Sequence, residues 1–228
     1  MYIGIYLALI LSMFHFISGI FVKFTRKHIS KLMSLAAGIL ISIIFIEMLP
    51  EFARQALETN YLLFILPLMG FVAFHSIRAY NYKHIKTKKE LKGRFRKNHI
   101  LAFFMEHFII GFILTISFKT PVVSLLLFLP FILLTISSSI LLRIIDKTSK
   151  SNILKLALGS STLLGAITAT LFSFNELFYI GSFGYVLGSL IYIVSREIMT
   201  AEEKKESLLF FVIGLIFTSA LLLIKGVL

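Results

Sequence analysis

Apolar residues run through this chain in long blocks, not in the short alternating patches of a soluble domain. Eight blocks stand out, at about 2–22, 32–49, 61–77, 100–118, 121–142, 153–173, 177–195 and 207–227. Each approaches the ~20 residues with which an α-helix crosses the hydrocarbon core of a bilayer. The polar stretches between them are short, apart from a basic one at about 78–99. The pattern predicts an all-α fold: a polytopic membrane helix bundle of eight transmembrane helices, forming a single domain over 1–228.

Composition and charge sharpen this expectation. Hydrophobic residues make up 58% of the 228 positions, and the mean hydropathy is +0.94, more apolar surface than a soluble domain of this length could hide. The formal net charge of +12 is not spread evenly. With the amino terminus outside, alternate loops face the cytoplasm and carry 20 of the 23 Lys and Arg, leaving Arg54, Lys119 and Lys225 outside. That is the positive-inside distribution, and it predicts an integral protein of the plasma membrane with both termini extracytoplasmic. Basic residues follow the first block and none precedes it, which predicts a retained span and not a cleaved leader. The loop at 78–99 is expected to fix topology and to meet anionic lipid headgroups. It shows no nucleic-acid recognition fold, so no nucleic-acid partner is expected. With no Cys, disulfides, thiolate metal sites and thiol redox chemistry are excluded.

An internal repeat is legible. Gly38 precedes Glu47-Met48-Leu49-Pro50-Glu51 by the same interval at which Gly188 precedes Glu197-Ile198-Met199. The two blocks run in opposite directions under the predicted topology, the mark of inverted repeats in secondary transporters. Helices 1–3 and 6–8 are thus expected to repeat around helices 4 and 5. Small residues also recur every four positions in the sixth block (Ala157, Ser161, Gly165, Ala169, Ser173), and Gly181, Gly184 and Gly188 form a ridge in the seventh. Such stripes let helix backbones approach closely where lipid offers no hydrophobic drive.

Chemistry concentrates in the fourth block, where Glu106 and His107 lie side by side between His99 and Lys119. An ionised side chain at the bilayer centre costs roughly 2.5–3.5 kcal/mol on insertion scales, so such groups face a bundle interior or a ligand. Carboxylate and imidazole together suit a divalent metal; a hydrogen-bonded polar pair is the structural alternative. His107, Gly111 and Thr115 share one helical face, and Thr135, Ser138 and Ser139 share another on the fifth block. These hydroxyls either bond their own helix carbonyls or contribute oxygen ligands. Glu47 and Glu197, near helix ends, are candidates for the substrate pathway or for gating. His15 and His75, alone in apolar helices, are expected to be satisfied by neighbouring helices.

The segment Ser34–Glu51, with Gly38, Glu47 and Pro50, resembles the second span of the ZIP (Zrt-/Irt-like) divalent-metal transporters. Glu106-His107-Phe108-Ile109-Ile110-Gly111 is similar to the family's fourth-span His-Asn-Phe-x-Asp/Glu-Gly pattern, and Gly188, Tyr192 and Glu197 are similar to its seventh span. The resemblance implies transport of zinc, iron or manganese by alternating access, through a midplane site on helices 4 and 5 with Glu106 and His107 as metal ligands. Thr115, Thr135, Ser138, Ser139, Glu47 and Glu197 would then border the pathway. It implies no enzyme activity and no resident cofactor, the metal being cargo. The partners expected are the metal, membrane lipid and a second copy of the chain. The sequence also departs from the pattern: Ile110 stands at an acid position, the fifth block has no His or acid, and Thr200-Ala201 replaces Pro-Glu. A zinc site usually draws three or four ligands from the protein, and Glu106 with His107 gives two. A transport-inactive ZIP-like scaffold or regulator is therefore the alternative. An intramembrane metal-assisted hydrolase with Glu106 as base would need more than one His at hand.

Overall fold

The computed structural model describes residues 2–83, 104–115, 127–136, 152–172, 175–201 and 205–227, and these are helical almost throughout, with no strand. In chain order the helices are α1 (Tyr2–Ile43), α2 (Leu49–Thr59), α3 (Ile65–Lys83), α4 (Phe104–Thr115), α5 (Leu127–Ile136), α6 (Asn152–Phe172), α7 (Glu176–Ala201) and α8 (Lys205–Val227). Ser30–Thr59 and Glu176–Ser195 are long and apolar enough to cross a membrane.

The first two apolar blocks are not separated by a loop. Both lie on α1, which continues through a π-helical turn at Ile44–Met48 into α2. The reason is local: between Phe21 and Leu35 there is no Gly or Pro, and Lys and Arg are good helix formers. The run is nevertheless bent. A straight helix from Gly4 to Phe52 would be about 72 Å long. Yet Gly4 packs on Thr115 of α4 and Phe52 packs on Gly184 of α7, while α4 and α7 line one common cleft. The two blocks thus meet different partners: Ser12 Oγ donates to the Gly159 carbonyl of α6 at 2.6 Å, whereas Ser42 Oγ lies 3.0 Å from the Leu215 carbonyl of α8.

The π turn has an identifiable cause in Pro50. Proline has no N–H to donate and its ring crowds the carbonyl four residues back, so a regular ladder cannot pass through it. The chain widens just before it, and Leu49 N–H reaches back to the Ile44 carbonyl. Beyond the turn, Phe52 is fully buried, edge-on to Phe64 (5.7 Å between ring centroids) and Phe183 (6.1 Å). The opposite face of α2 is charged. Arg54 bonds Glu51 at 2.8 Å and Glu58 at 3.0 Å, all in reach of solvent. Exposed pairs of this kind contribute little to stability, because water screens them and both long side chains lose freedom. Arg54→Ala should therefore shift the thermal midpoint in detergent only slightly, and a large shift would mean that α2 docks against something further.

Glycine brings the helices together in three crossings of one design. At Gly38 and Gly214, a side chain on either glycine would strike a backbone carbonyl of the other helix: Phe211 for Gly38, Leu35 for Gly214. The same reciprocity joins Gly70 to the Tyr185 carbonyl and Gly188 to that of Pro67. It joins Gly111 to the Thr162 carbonyl and Gly165 to that of Phe108. In every case the carbonyl belongs to the residue three positions before the partner glycine. Such contact lets backbones pack directly, and weak Cα–H···O interactions add to it. The crossing of α1 with α8 also carries polar contacts, with Ser219 Oγ donating to Ser42 Oγ at 3.1 Å.

The buried core runs through Leu40, Ile43, Ile44, Met48, Phe52, Ile113, Leu127, Phe131, Leu187 and Leu190. The outside is equally apolar. Ile65, Leu68, Met69 and Val72 on α3, and Ile213, Ile216, Phe217 and Leu223 on α8, are exposed. Contiguous exposed apolar faces of this kind mark a membrane or a large partner surface.

Candidate functional site

Successive residues on α4 are turned by 100°, which divides the helix into two faces. Phe104, Met105, Phe108, Ile109 and Phe112 line a cleft shared with α3, α6 and α7. Glu106, His107, Ile110, Ile113 and Leu114 form the other face, and every one of them is buried. Glu106 is 3% exposed and His107 0%. The acid–imidazole pair therefore points away from the open cleft and into the bundle, in the first turn of the described part of an apolar helix.

Two neighbours flank that helix closely. One turn after His107, Gly111 lies directly on the α6 backbone at Thr162, and no larger residue would fit there. Thr115, a turn further, meets Gly4 of α1 and donates its hydroxyl to the Gly111 carbonyl at 3.0 Å. Its O–H is thus committed to its own helix, one of the two outcomes expected for hydroxyls in this region.

Thr135 takes the other course. It is fully buried on α5, and its Oγ1 makes no hydrogen bond to any described residue. Thr162 on α6 behaves in the same way. The departure is informative, because Thr168, Thr170, Ser189 and Ser195 all donate to the carbonyl four residues back, the default for a helical hydroxyl. A buried hydroxyl without a partner costs about 1–3 kcal/mol, so such atoms mark places where water or a ligand can be received. Sequence reasoning missed Thr162, although it stands next to Ser161 in the small-residue stripe of α6.

The remaining expected positions are spread more widely. Ser138 and Ser139 lie outside the described residues, as do His84, His99 and most of the basic segment at 78–99. Glu47 is half-buried within the π turn, a form of local helix distortion often found at functional sites. Glu197 lies on α7, with its side chain outside the described part, and the same holds for His15 on α1. His75 is exposed and stands edge-on to Tyr192 of α7 at 5.8 Å. Among the described residues, no group of three or more His, Cys, Asp or Glu is gathered in one place. No protein-family model matches the sequence, and no curated protein matches it.

Proposed function

We propose that the protein is an integral membrane carrier of a divalent metal cation (zinc, iron or manganese), with Glu106 and His107 as its central ligands. The observation that carries this reading is the complete burial of a carboxylate and an adjacent imidazole on an apolar helix. Retaining two such groups in a hydrophobic core is costly unless they serve a ligand or a hydrogen-bonded structure. Thr162, on the α6 backbone that packs against Gly111, offers a weak oxygen donor beside α4, and Thr135 on α5 offers another. The exposed apolar faces of α3 and α8 support the membrane setting. The eight spans, the outside termini and the cytoplasmic basic loops of a plasma-membrane protein rest on the sequence pattern alone.

The glycine crossings support the inverted repeat. Exchanging helices 1–3 with 6–8 pairs the second apolar block with α7 and α3 with α8. Under that exchange the crossing of Gly38 and Gly214 becomes the crossing of Gly188 and Gly70, the same reciprocal geometry in two places. Repeats of this type put the substrate site between the halves, where α4 and α5 would lie.

A second reading is favoured by one observation: no third acid or imidazole joins the pair among the described residues. A chain that kept the architecture and lost ligands would be a transport-inactive ZIP-like scaffold or regulator. Flux separates the two. Purified protein in phosphatidylcholine vesicles should speed the passage of at least one of Zn²⁺, Mn²⁺ and Fe²⁺ to an internal dye. Vesicles with protein that are no faster than empty ones would leave the scaffold.

A further inference from the structure

A cleft of about 1080 Å³ opens between α3, α4, α6 and α7. Its walls are apolar, built from Leu63, Leu66, Phe74, Phe108, Phe112 and Val186. Thr168, Ser182 and Tyr185 also border it, and Thr168 turns its hydroxyl to the Leu164 carbonyl at 2.7 Å. The polar amides are at one end. Helices α3 and α7 run parallel, since Leu66 packs on Gly181, Pro67 on Gly188 and Phe71 on Tyr192. Asn60, just before the 3₁₀ turn that leads into α3, and Asn175, just before α7, therefore stand at the same end of the cleft.

Each asparagine caps the helical turn directly after it. Asn60 Oδ1 accepts from Leu62 N–H and Asn175 Oδ1 from Phe178 N–H, both at 2.9 Å. With both oxygens committed, this end of the cleft keeps a pair of amide NH₂ donors. From Leu62 to Phe74 the wall descends by about 18 Å at helical rise, close to the ~15 Å of one leaflet's hydrocarbon. The residues around the mouth, Leu62, Ile65, Leu177 and Phe178, are large, apolar and exposed.

We propose that this cleft holds the acyl chains of a glycerophospholipid, whose ester or phosphate oxygens meet the amides of Asn60 and Asn175. The proposal rests on the membrane part of the proposed function but not on metal transport. A molecule with one polar end and an apolar body as long as a leaflet complements the cleft. A helix of a second copy complements it less well, because its apolar face offers the two amides no acceptor.

The chain has no tryptophan, so single introduced indoles report cleanly. Phe112→Trp places one on the cleft wall, and Phe217→Trp places one on the exposed face of α8. In phosphatidylcholine vesicles with brominated acyl chains, both should lose emission to a similar extent. Adding Gly181→Phe, which narrows the cleft beside Leu63 and Leu66, should lessen the quenching of Phe112→Trp and leave that of Phe217→Trp unchanged. Quenching on α8 alone, or quenching at Phe112→Trp that Gly181→Phe leaves unchanged, overturns the lipid. Protection of Phe112→Trp in a dimer identifies a second copy as the occupant and likewise overturns it. Loss of emission at neither position overturns the membrane setting itself. Phe108→Trp, on the same wall, replaces Phe112→Trp should that variant fold poorly.

Discussion

Gly188→Leu is expected to be the most damaging single substitution among the described residues, preventing α3 and α7 from closing. The position leaves no slack, because a side chain there meets the Pro67 carbonyl, which is backbone and cannot rotate away. Over-packing by a methylene usually costs about 1–3 kcal/mol, and that figure assumes flexible neighbours. Here a helix must shift, so the loss should reach or exceed the top of the range. Gly181→Leu on the same helix is the control. A Cβ there meets only the ends of Leu66 and Leu63, at 3.2 and 3.8 Å, and those flexible ends can give way. Gly38→Leu should be comparably harmful, since a side chain there strikes the Phe211 carbonyl in the same way. Thermal unfolding and size-exclusion profiles in detergent decide the matter. Equal tolerance of leucine at 181 and 188 would show that the crossing does not hold the pair together.

Replacing Glu106 and His107 together should abolish metal flux. Loss of an outer-shell partner already weakens metal affinity by about 10–100-fold, and removing two direct ligands should exceed that. Burial complicates the alanine variants, since a cavity in place of His107 lowers stability by itself. Glu106→Gln with His107→Gln keeps similar volume and removes the carboxylate and the imidazole, and is the cleaner test. A folded double variant with undiminished flux would remove these residues from the transport path. Acid should act in the same direction as the substitutions. A metal needs neutral imidazole and ionised carboxylate, so protons compete with it, and wild-type flux should fall as the pH is lowered.

Much of the helical content was legible because each block is apolar over most of a membrane's width, a signal that needs no tertiary information. The boundary near 22–32 was not, because basic residues suggested a loop while offering no helix breaker. Pro50 was visible as a breaker, but the wide turn it imposes at Ile44–Met48 depends on how the chain around Glu47 relaxes. The burial of Glu106 and His107 followed from the cost of exposing them in an apolar helix, and the structure buries both. Gly38 and Gly188 were recognisable as a repeated pair, whereas their partners Gly214 and Gly70 emerged only from packing. The asparagines at 60 and 175 carried a capping signal, each standing just before an apolar block, that a reading of apolar blocks alone passes over. Thr162 gave no such cue, since one hydroxyl in the run Ser160-Ser161-Thr162 looks the same whether it bonds its own helix or faces inward.

The turn ahead of Pro50 also sets the rotational phase of α2. Ala36, Leu40, Ile44, Met48, Phe52 and Ala56 are all buried and recur at every fourth position. In a regular helix each such step overshoots a full rotation by about 40°, so the stripe would spiral around the axis and leave its partners. A turn that spends an extra residue rotates less per residue and takes back part of that overshoot. Glu47 sits in the segment that performs this correction, so the azimuth of its carboxylate is tied to the docking of Phe52 against α7.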